Sequence, residues 1–147
     1  MTNPAETFTE LFRSAAVSFA DARGVLESES PGAKPSNDTA EYSAYSLITG
    51  LERIALLLRK FQAIPEARSM ARGERPDALT VVGDAAFRAS AEAAAAQIEA
   101  SAGQLGVAGP RLAKTIRRWI ESGALEEARV LASQCDTAIR ITKRRVR

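Results

Sequence analysis

Residues 84–102 read DAAFRASAEAAAAQIEASA. Asp84 stands where a helix N-cap belongs, because its carboxylate can accept from the free N–H groups of a first turn. Phe87, Ala91, Ala94, Ala95 and Ile98 then recur at three- and four-residue spacing along one side. Ala has the best helix propensity of any residue, and its small side chain lets a neighbouring helix come close. The stretch predicts a helix packed among other helices, and it sets the expected class as all-α.

Working toward the N-terminus, the same signals recur. Asn3, Pro4 and Glu6 make a helix start, with a cap, a residue suited to the first turn and a carboxylate at the positive dipole end. Phe8, Leu11, Phe12, Ala15, Ala16 and Phe19 form the stripe that follows, and Gly24 loosens the end near Val25 and Leu26. The segment 28–38 is rich in Pro, Gly and Ser and predicts a flexible linker. Asp38 with Glu41 is the pattern of a capping box. The helix it opens carries Tyr45, Ile48, Leu51, Ala55 and Leu58 on its inward side, widened by Leu56 and Leu57. Pro65 ends that helix or begins a short one closed near Gly73. Thr80-Val81-Val82 is the one β-branched triplet, and its strand partner would be Ile139-Arg140-Ile141-Thr142. Two isolated strands are marginal in water, so helix or loop is the preferred reading there.

Toward the C-terminus, Gly106 to Gly109 predicts a turn and Pro110 a new helix with Leu112, Ile116, Trp119 and Ile120 apolar. Trp119 is expected in the core, in line with Leu112 and Ile116. Gly123 suits a C-cap. The last helix runs from Ala124 toward Arg145 with Leu125, Ala128, Leu131, Ala132, Cys135 and Ile139 inward. The whole is expected to be one helical domain over residues 1–147, a bundle of five or six helices near 4–26, 39–63, 84–102, 110–122 and 124–144.

Chemistry is bounded by what is missing. The chain has no His and one Cys. That removes His general bases, Ser-His-Asp and Cys-His sites, zinc ligation by cysteine sets, and an intrachain disulfide. There is no phosphate-cradling Gly-rich motif, and Glu126 and Glu127 are adjacent, so they diverge on a helix. The expectation is a non-catalytic protein with no cofactor and no metal site, and Cys135 as a buried structural thiol. The first residues lack the charged and apolar regions of a signal peptide, and no apolar run reaches membrane-spanning length. A cytoplasmic protein is expected. The first helix carries little positive charge on its polar face, so packing against a core or partner helix is preferred to lying on a membrane surface.

Charge is sorted along the chain. Residues 1–50 carry 3 basic and 7 acidic groups, and residues 101–147 carry 10 and 4. The basic groups concentrate in Arg111, Lys114, Arg117 and Arg118, and in a tail over 140–147 with Arg140, Lys143, Arg144 and Arg145. Short basic runs seek phosphate or acidic partners. Residues 98–118 resemble the helix-turn-helix of DNA-binding proteins, through Ala102, Leu105, Gly106, Val107 and Leu112. In that family a small residue lies four before the turn Gly, and apolar residues follow the Gly at one and six places. The resemblance implies that the next helix reads DNA through Arg111, Lys114, Arg117 and Arg118. The chain departs from the pattern at Thr115, where an apolar residue is usual, and at Gly103 and Gly109-Pro110. Leu105 to Lys143 is similar to the C-terminal helical region of clamp-loader delta subunits, on Leu105, Gly106, Arg117, Arg118, Leu125, Asp136 and Arg140. That likeness implies an oligomerisation surface, without the nucleotide-binding domain of those subunits. Two functions follow as expectations: binding of DNA or RNA through the basic C-terminal helices, or a helical adaptor or homo-oligomer in which acidic and basic regions of neighbouring chains meet.

Overall fold

A computed structural model describes residues 4–27, 37–63 and 81–145. Its helices are α1 (Pro4–Glu27), α2 (Asn37–Gln62), α3 (Ala85–Ala100), α4 (Ala102–Leu105), α5 (Ala108–Ser122) and α6 (Leu125–Arg145). No strand occurs among the described residues. With the helical turn at 81–83, seven helical segments are counted among them where five or six were expected.

The extra segments have local causes. Asp84 caps α3 as its sequence implies, the Phe87 N–H donating to its carboxylate at 2.9 Å. The helix stops two residues early, at Ser101. There the Ser101 hydroxyl and its N–H both donate to the Gln97 carbonyl, at 2.9 and 3.1 Å. α4 is the single turn that follows, and Gly106 closes it in the left-handed region at φ 61. α5 begins before Pro110, which sits in its first turn, where N–H groups have no intrahelical partner and a proline costs none. Gly123 ends α5 at φ 65, its N–H donating to the Trp119 carbonyl at 2.7 Å. Val81 and Val82 are buried in a helical turn and Ile139 to Thr142 lie inside α6, so that strand pair does not form. The short helix considered for 65–73 and most of the linker lie outside the described residues. Asn37 and Asp38 already belong to α2, and residues 140–145 of the basic tail continue α6.

Helix directions follow from single contacts. Phe8 meets Phe61 edge-on at one end of α1 and α2, and the Ser43 hydroxyl donates to the Ala22 carbonyl at the other, so the pair is antiparallel. Phe12 meets Phe87, and Arg23 donates to Gln97, so α3 runs parallel to α1. Arg88 donates to the Ile120 carbonyl at 2.9 Å, which sets α5 antiparallel to α3. α6 returns after Gly123 and packs along α2. The helices α1, α2, α6, α5 and α3 thus close a ring of neighbours.

Trp119 fills the middle of that ring. It is 0% exposed, with Phe61 at 4.7 Å, Phe87 at 5.7 Å and Phe12 at 6.2 Å between ring centroids. One ring comes from each of α1, α2 and α3, so a single side chain of α5 joins four helices. Its indole N–H has no acceptor among the described residues. α1 and α2 touch closely at Gly50, where a Cβ would come within 2.7 Å of the Phe19 ring. Tyr45 departs from the expected inward side of α2. It is 54% exposed, beside Tyr42 at 56% and Leu56 at 37%. Cys135 is buried, and loss of solvent, helped by the Asp136 charge, pushes its thiol well above the ordinary range.

Candidate nucleic-acid interface

α5 has two faces. Leu112, Ala113, Thr115, Ile116, Trp119 and Ile120 are buried. Thr115, the polar departure from the helix-turn-helix pattern, satisfies its hydroxyl on the Arg111 carbonyl at 2.9 Å, so it enters the apolar face without an orphaned donor. The opposite strip holds Arg111, Lys114 and Arg118, all exposed. Arg117 lies between the faces and is already engaged. Its guanidinium donates to both carboxylate oxygens of Glu92 at 2.7–3.1 Å and to Glu99 at 2.8 Å. Those charge-assisted bonds hold the Glu99 carboxyl below its usual range and raise the Arg117 guanidinium above its own. Arg117 therefore joins α5 to α3, and Arg111, Lys114 and Arg118 are left as the solvent-facing cations.

At the C-terminal end of α6, Arg140, Lys143 and Arg144 are exposed. Arg140 has a long contact with the Thr137 hydroxyl at 3.4 Å. Arg145 is the last residue of α6, and its side chain lies outside the described residues. The two basic groups occupy separate shallow depressions with no lining residue in common. One is lined by Lys114, Arg117 and Arg118 with Glu99, Glu121 and Glu127, and the other by Arg140, Lys143 and Arg144 with Asp136 and Ile139. The three glutamates of the first depression are the residues that sequence reading missed. They come from three helices, and spacing along one chain segment carries no trace of that meeting.

In the turn before α5, Gly106 has a left-handed backbone, and Leu105 and Leu112 are buried. Val107 is 75% exposed, and the helix before the turn is one turn long. Among the described residues no group of His, Cys, Asp and Glu is placed to hold a metal ion, and no helix is long and apolar enough to cross a membrane.

Compared with protein-family models, with curated proteins and with solved structures, the chain gives no match.

Proposed function

We propose that the chain is a non-catalytic nucleic-acid-associated protein that meets the phosphate backbone through α5 and the end of α6. One observation carries this reading. Arg13, Arg88, Arg117 and Arg129 each have a carboxylate within 4.0 Å. Arg111, Lys114, Arg118, Arg140, Lys143 and Arg144 are exposed, and none has such a partner among the described residues. Exposed arginines and lysines without local partners keep their full charge for phosphate. The acidic lining beside Lys114 and Arg118 opposes deep insertion of a phosphate there, so contact falls on the outer face of α5. Such binding is backbone-led and carries little base specificity.

The test is a fluorescence-anisotropy titration of labelled duplex and single-stranded oligonucleotides. The Arg111→Ala, Lys114→Ala, Arg118→Ala triple variant should lose about tenfold or more in affinity at low salt while keeping its fold, because all three side chains lie off the apolar face. Unchanged affinity would remove α5 from the interface.

A further inference from the structure

α2 presents an exposed strip that takes no part in the proposed phosphate contact. Asp38, Glu41, Tyr42, Tyr45, Glu52, Leu56, Arg59 and Lys60 are all exposed. Tyr42, Tyr45, Thr49, Glu52 and Leu56 follow one another at alternating three- and four-residue spacing, the repeat by which one helix presents a seam to another. Two aromatic residues and a leucine lie on this seam, at 56%, 54% and 37% exposure. Its midpoint is Thr49, whose hydroxyl is already used on the Tyr45 carbonyl at 2.9 Å. The charges are polarised along it, with Asp38 in the first turn and Arg59 and Lys60 in the last. Helix-dipole preference accounts for those end charges one by one. It does not account for the tyrosines and the leucine sharing the same exposed strip.

We infer that α2 is the contact between two copies of this chain, paired antiparallel about a two-fold axis at Thr49. This register makes the strip self-complementary. Tyr42 comes opposite Leu56 of the second copy, and Asp38 and Glu41 come opposite its Arg59 and Lys60; the two-fold axis repeats each contact. A parallel pairing would set acid against acid and base against base, so charge selects the antiparallel sense. From Asp38 to Lys60 the seam is about 33 Å long at helical rise. With three apolar side chains per copy it is a modest interface, with dissociation expected on the order of 10 μM. It uses none of the cations assigned to phosphate, and it does not depend on that assignment. A dimer would double the basic surface.

The test is sedimentation of the full chain without nucleic acid, from about 1 to about 300 μM, spanning the range of weak specific pairs. A monomer–dimer equilibrium is expected. The Asp38→Lys, Glu41→Lys double variant and the Arg59→Glu, Lys60→Glu double variant should each be monomeric, and the four changes together should restore the dimer. Thr49→Cys should form a disulfide-linked dimer on mild oxidation, while the natural chain, whose Cys135 is buried, should not. Circular dichroism of each variant separates lost pairing from lost folding. A natural chain that stays monomeric throughout overturns the inference. So does a dimer that survives both charge reversals and gives no Thr49→Cys cross-link, since it would pair by another surface.

Discussion

Replacing Trp119 by Ala removes the one side chain that touches rings from α1, α2 and α3. A buried Trp→Ala change costs about 3–5 kcal/mol from lost transfer energy and the cavity left behind. Trp119 is fully buried and takes part in three ring pairs, each adding about 0.5–1.5 kcal/mol beyond its area. The loss should therefore fall at the upper end, about 5 kcal/mol, which compares with roughly 5–15 kcal/mol for a whole domain. At about 2–4 °C per kcal/mol for a chain of this size, the midpoint of thermal unfolding should drop by roughly 10–20 °C. Trp119→Phe is the informative control. It keeps a ring in the cluster and removes an indole N–H that has no acceptor among the described residues, so relief of that donor offsets part of the lost volume. It should cost less than half as much as the Ala change. Calorimetry of the three proteins reads both numbers, and iodide quenching of the natural Trp119 should be weak. A midpoint for Trp119→Ala within about 3 °C of the natural chain would refute the ring of helices built around it.

Other perturbations test separate parts of the account. Gly50→Ala drives a Cβ to 2.7 Å from the buried Phe19 ring and should destabilise by about 1–3 kcal/mol, read by chemical denaturation. Glu99 is held below its ordinary carboxylate range by Arg117, so the stability it contributes is present above the unfolded value near 4.3. That contribution is lost as pH falls through the lowered value. Arg117→Ala should therefore flatten the acid limb of the stability curve, because the raised Arg117 itself stays charged over the whole accessible range. Cys135 should resist a thiol reagent in the native state and react at the rate of global unfolding, because burial disfavours its thiolate.

The fold was largely legible because its signals are local. Asp84, Gly123 and the apolar stripe through Phe87 and Ile98 each state a helix end or face within a few residues, and the structure places them there. The interruption at Ser101 carries no such mark, since the helical pattern of the sequence runs on through Ala102. Tyr45 falls in step with Ile48 and Leu51 in the sequence, yet it lies at an edge of α2 that stays more than half exposed. The basic residues were legible as charges and not as partners. Nothing within residues 111–118 tells that Arg117 reaches Glu92 and Glu99, 25 and 18 positions away, while Arg118 reaches no carboxylate among the described residues.

The most direct test of the proposed function is the salt dependence of binding to duplex DNA. With about five of the six cations assigned to phosphate on α5 and α6 in contact, log affinity against log salt should fall with a slope near −4 to −5. The Arg118→Ala variant should flatten it by about 1, and Arg117→Ala, whose guanidinium is held by glutamates, should change it far less. Affinity weaker than about 100 μM at low salt, for DNA and RNA alike, would contradict the proposal.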